Sequence, residues 1–151
     1  MKNLKAVSPV IATIIIVAIA IVMAIAVAYW MLGLGGAFTR YEKLEIPTAY
    51  AVYETNKNFT ITMIVKNTGS ATATIDKSAL LFNGKPANAY GGFEPSINVE
   101  NPTLEPGSST KITIELKHQD DPDSPWQHGM TVEIMIHTVA GKDYPKVIVL
   151  P

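Results

Sequence analysis

The chain has 151 residues, room for about one compact domain, which excludes a large multi-domain enzyme. Its 12 basic and 13 acidic residues nearly cancel, but unevenly: residues 1–40 hold Lys2, Lys5 and Arg40 and no acid, so every acid falls in 41–151. Cysteine is absent, which removes disulfides, thiolate nucleophiles and Cys-ligated metal sites, and no basic patch marks a nucleic-acid partner.

No charge lies between Lys5 and Arg40, and from Val10 to Leu34 nearly every residue is apolar. A helix of about 20 apolar residues spans the hydrocarbon core of a bilayer. One that is apolar on every face must be buried in lipid or in protein. Lys2 and Lys5 precede the run, so the positive-inside rule places the N-terminus in the cytoplasm, with Tyr29 and Trp30 near the outer headgroups. Residues beyond the helix are therefore expected outside the cell. The run is too long for a secretory signal peptide, and Trp30-Met31-Leu32 fits a small-residue cleavage site poorly. A plain membrane anchor satisfies the same physics. Ser8 as N-cap and Pro9 in the first turn predict a helix starting near residue 8.

Lys5-Ala6-Val7-Ser8-Pro9-Val10-Ile11-Ala12, placed directly before the apolar run, resembles the leader junction of archaeal type IV pilins. That resemblance implies a class III signal peptide, residues 1–6, clipped by a prepilin peptidase between Ala6 and Val7 after recognition of Lys5 and Ala6. It also implies helix–helix packing in a filament core, for which Pro9, Ile11, Ile15, Ala18, Ile19, Val22, Ile25, Ala26 and Tyr29 are the candidate residues. Small alanines alternating with isoleucine and valine let helices approach closely. Bacterial pilins carry a glutamate at the fifth mature position; Ile11 stands there in this chain.

Gly33, Gly35 and Gly36 read as a soft joint, with helical character resuming through Thr39–Leu44 and stopping before Pro47. The expected organisation is thus a leader (1–6), an apolar helix (7–46) and a head (47–151). In the head the period becomes two. Phe59, Ile61, Met63 and Val65 alternate with Thr60, Thr62 and Lys66; Ile112, Ile114 and Leu116 alternate with Lys111, Thr113 and Glu115; Val132, Ile134 and Ile136 alternate with Thr131, Glu133 and His137. The continuous run Val147–Leu150 predicts a strand covered on both sides, and 48–54, 71–76 and 78–83 are further candidates. Turn residues separate these runs at Asn67–Ser70, Asn83–Pro86, Glu105–Ser108 and Ala140–Asp143.

The expected fold class is α+β: a long N-terminal hydrophobic α-helix followed by an antiparallel β-sandwich of about seven strands, with neither disulfide nor core tryptophan. The strings Ile61–Ser70 and Leu104–Ile114 resemble immunoglobulin-like surface modules, a likeness of fold alone.

Candidate chemistry is sparse. The acidic segment His118–His128, with Asp120, Asp121 and Asp123, matches no calcium-loop spacing and reads as a solvated turn, with Trp126 covering either a sandwich end or a neighbouring subunit. His137 shares a strand face with Glu133, a surface pair. No nucleophile elbow, phosphate loop or zinc helix is present, so no catalytic residue, cofactor or metal is expected. Asn58-Phe59-Thr60 is the one acceptor sequon, making Asn58 the candidate N-glycosylation site.

These readings lead to a structural subunit of an archaeal type IV adhesion pilus. It would start as a membrane precursor and end in an extracellular filament by self-association. Its partners would be the prepilin peptidase, a membrane platform protein and an assembly ATPase. The alternatives are a membrane-anchored monomeric binding module or minor pilin-like protein, and an archaellum subunit.

Overall fold

The computed structural model describes residues 9–38, 40–55, 57–118 and 121–151, and the chain divides into two compact units, Met1–Arg40 and Tyr41–Pro151. The first is one helix, α1 (Pro9–Phe38), with Pro9 at the first helical position, where its missing N–H leaves nothing unpaired. At about 1.5 Å of rise per residue, 30 residues extend about 45 Å. Gly33, Gly35 and Gly36 lie inside α1, which corrects their reading as a joint. Each costs about 1 kcal/mol, which a long cooperative helix absorbs. The helix also stops at Phe38 and does not resume before Pro47, because Leu44–Ile46 already belong to a strand.

The second unit is a two-sheet sandwich built from β1 (Leu44–Tyr53), β2 (Phe59–Asn67), β3 (Ala73–Thr74), β4 (Leu81–Phe82), β5 (Lys85–Pro86), β6 (Ser96–Val99), β7 (Thr103–Leu104), β8 (Ser109–Leu116), β9 (Thr131–His137) and β10 (Asp143–Val149). The sheets run β1-β2-β8-β6 and β10-β9-β4-β5, with a small β3-β7 ribbon, and every pairing is antiparallel. The fold class is the expected one, with ten strands among the described residues in place of about seven. Candidate strand 71–76 shrinks to β3 and a single bridge from Ile75 to Thr138, and candidate 78–83 opens with a helical turn, Lys77–Ala79, before β4.

Alternation sets the core. Phe59, Ile61 and Met63 on β2 lie opposite Leu116, Ile114 and Ile112 on β8, all fully buried. Val132, Ile134 and Ile136 face them from β9, each worth about 1.5–3 kcal/mol on burial. Pro47 sits in β1, an edge strand, where the register slips between Glu45 and Thr48. A bulge on an edge tolerates the missing N–H. β10 is also an edge strand, and Val147 and Val149 on it are exposed, so the run 147–150 is covered on one side only. The β4–β5 hairpin turns on Asn83 and Gly84, both at positive φ, the backbone a two-residue turn requires.

The segment entering β1 is tied down tightly. Thr68 and Gly69 N–H groups donate to Lys43 O (2.8 and 3.1 Å), and those of Ser70 and Ala71 donate to Tyr41 O (2.9 and 3.0 Å). Lys142 Nζ adds a bond to Glu42 O at 2.8 Å. Gly69 permits this approach, because a Cβ there would lie 2.4 Å from Tyr41 O and 2.6 Å from Lys43 N. Beneath the turn, fully buried Asn67 donates from Nδ2 to Ala71 O (2.8 Å) and Leu104 O (2.9 Å), and its Oδ1 accepts from Gly69 N–H (2.9 Å).

Candidate functional site

The most unusual surface of the chain is α1 itself. Sixteen large apolar side chains between Val10 and Leu32 are half or more exposed, and no charged residue interrupts them. Kept in water, that surface costs tens of kcal/mol at about 1.5–3 kcal/mol per side chain. The span Pro9–Gly36 is long and apolar enough to cross a membrane. Thr13 interrupts the apolar texture, and its hydroxyl is satisfied within the helix by Val10 O at 2.8 Å.

On this helix Ile11, Ile15, Ala18, Val22, Ile25 and Tyr29 follow a 4-3-4-3-4 spacing, so they share one face, with Ile19 and Ala26 flanking it and Pro9 at its start. Ala18 leaves a notch in that face, bordered by Thr13, Ile14, Val17 and Ile21 on one side and by Ile19, Val22 and Met23 on the other. A short side chain between long ones is the shape that accepts a knob from a neighbouring helix. The leader residues Lys5, Ala6 and Val7 lie outside the described residues.

In the head, the segment expected to be a solvated turn keeps Pro122, Asp123, Gln127 and His128 exposed but buries His118, Ser124 and Trp126. Trp126 is fully buried in the core, where it packs against Tyr90 (ring centroids 4.5 Å apart) and Phe82 (6.2 Å). Its Nε1 donates to Phe93 O at 3.0 Å. The sandwich therefore does have a core tryptophan, supplied by a loop. His118 is buried too, in a ring cluster with Tyr53, Phe59 and His128. Asp121 Oδ1 accepts Asp123 N–H at 2.9 Å, a local turn, and Asp120 lies outside the described residues. Among the described residues no three His, Asp or Glu side chains form a group that could hold a metal ion.

His137 pairs with Asp143, not Glu133: Nδ1 and Oδ1 are 2.6 Å apart across the β9–β10 register. A directly opposite partner in a hairpin comes closer than a same-face neighbour four residues along one strand. Asn58 is only 8% exposed. Its Nδ2 donates to Glu115 Oε1 at 2.8 Å, and its Oδ1 accepts His118 N–H at 3.2 Å. The nitrogen to which a glycan would attach is thus enclosed and engaged in the folded head.

No family model matches the chain, and no curated protein matches it. Among solved structures it is similar to the archaellum periplasmic stator protein FlaG from Sulfolobus acidocaldarius, at 24% identity and a TM-score of 0.49, covering 71% of this chain and 99% of that one.

Proposed function

We propose that the chain is a membrane-inserted subunit of an archaeal type IV pilin-related surface apparatus, a pilin whose α1 packs against copies of itself while the β-sandwich stays outside the cell. The observation that carries this is the 30-residue helix, apolar on every side, followed in the chain by a head whose core is complete within residues 44–150. A helix the head does not need for folding is free to be buried elsewhere. Lipid serves in the precursor, and neighbouring helices serve in the filament, since acyl chains and leucine-like side chains are nearly equal surroundings. Because that exchange gains little free energy, extraction from the bilayer calls for a platform protein and an ATPase. Removal of residues 1–6 by a prepilin peptidase would take away Lys2 and Lys5, the charges that hold the N-terminus at the cytoplasmic face. The role is assembly rather than catalysis.

The name of the solved neighbour speaks for the archaellum alternative over the pilus, but at that TM-score the likeness does not choose between them. Shearing surface fibres and sequencing the N-terminus of their subunits does. A major band beginning at Val7 in adhesion fibres supports the pilin reading. The same chain recovered with archaella assigns it to that apparatus. Recovery only from membranes as a single dispersed chain refutes self-association and leaves an anchored binding module.

A further inference from the structure

One face of the head carries a cup that the filament reading does not use. It is a shallow depression, widely open to solvent and about 460 Å³ in volume, lined by Lys85, Tyr90, Gly91, Phe93, Asp123 and Pro125 among others. Its aromatic wall is fixed before anything binds. The Tyr90 ring lies on the Trp126 ring at a 36° tilt, and the Tyr90 hydroxyl donates to Phe82 O at 2.5 Å. Burial pushes the Tyr90 phenol pKa up, which keeps that donor protonated. Trp126 is in turn held by Phe93 O, so Tyr90 and Phe93 are tied through the same buried indole. A ligand stacking on such a wall freezes few rotamers. Gly91, at positive φ, lines the cup with no side chain to fill the space.

The rim holds one ammonium, Lys85, and one carboxylate, Asp123, which form no ion pair with each other. That pairing of charges disfavours ligands carrying a single net charge. An anion attracted to Lys85 is repelled by Asp123, and a cation over the rings meets the reverse. A neutral polyol uses both groups, since each hydroxyl can donate to a carboxylate and accept from an ammonium. A pyranose ring adds a flat C–H face suited to an aromatic wall.

We propose that this cup is a saccharide-binding site, taking a pyranose whose C–H face lies on Tyr90 and Phe93 while its hydroxyls bond Lys85 and Asp123. The inference stands apart from the filament reading, since an anchored monomer would present the same cup.

The test uses the full chain in an amine-oxide detergent, because alkyl glycosides would compete. Saturation-transfer NMR is run against methyl glycosides of the aldohexoses and N-acetylhexosamines, with glycine and tetramethylammonium as comparators. Transfer to the ring C–H protons of at least one pyranoside is expected. That transfer should disappear in Ala89→Trp, which fills the cup from an exposed position, and affinity should fall about tenfold in Lys85→Gln/Asp123→Asn. An unchanged amide spectrum of the head checks that each variant is folded. The proposal is overturned if no pyranoside receives transfer, if transfer survives Ala89→Trp in a folded chain, or if only glycine or tetramethylammonium binds.

Discussion

Replacing Asn67 with alanine tests whether one buried amide organises the turn that receives the start of the head. The side chain is wholly enclosed and makes three hydrogen bonds, two as donor to Ala71 O and Leu104 O and one as acceptor from Gly69 N–H. Each is worth about 1 kcal/mol net, and the acceptor left at Leu104 adds a desolvation cost, so Asn67→Ala should lose about 3–4 kcal/mol. Domains of this size have about 5–15 kcal/mol in total. With an m-value of about 1–3 kcal/mol/M, the urea midpoint should fall by 1 M or more. The assay follows Trp126 emission in a Trp30→Phe background of the full chain in detergent, with the exposed Lys111→Ala as a control that should stay within about 0.5 kcal/mol. A loss below about 1 kcal/mol for Asn67→Ala would refute the reasoning, because three bonds to a buried amide cannot then be what fixes the turn.

Trp126→Ala should cost about 3–5 kcal/mol by the same unfolding measurement, because it empties the space between Tyr90 and Phe82. In the helix, Val22→Asp carries an insertion penalty of about 3 kcal/mol, which so apolar a span tolerates. The variant should therefore remain in membranes yet vanish from sheared fibres, as cell fractionation will show. Intact mass of folded head material should show Asn58 unmodified, since only 8% of the residue is exposed. Asp76 has its carboxyl pKa lowered from 3.8, first by the Ser78 hydroxyl and then by the Ser78 N–H, so its stabilising contribution is present above that value and fades as pH falls through the lowered one. Ser78→Ala should move the Asp76 titration, followed by carboxyl carbon NMR, back up towards 3.8.

How much of this was legible depends on how far apart the contacting residues lie. The strands at Phe59–Asn67, Ser109–Leu116 and Thr131–His137 announce themselves because burial of one face writes a period of two into the sequence itself. Lys85–Pro86 and Thr103–Leu104 have two residues each, too few for any period, and exist only because partners elsewhere pair with them. Trp126, directly after Pro125 in a segment with two prolines and several acids, looks like loop; its burial rests on Phe82 and Tyr90, which arrive from distant parts of the chain. Pro47 was legible as a helix stop but equally compatible with an edge-strand bulge, and residue type alone does not separate the two. The apolar helix was plain because its character is local. The partner of His137 was not, since hairpin register brings in Asp143, and neither was the cup at Lys85 and Asp123, whose walls come from two separate loops.

The tie between Tyr41–Lys43 and the 67–71 turn has a mechanical meaning. Tension arriving along the backbone at residue 41 meets four main-chain bonds and a lysine before it reaches β1. Beyond them β1 pairs with β2 on both sides of its bulge, most of it in an unbroken run from Thr48 to Tyr53, so a pull parallel to the strand strains several bonds at once instead of peeling them singly. A head fastened in this way behaves like a rivet, holding against a pull at residue 41 that would peel a strand paired at one end only.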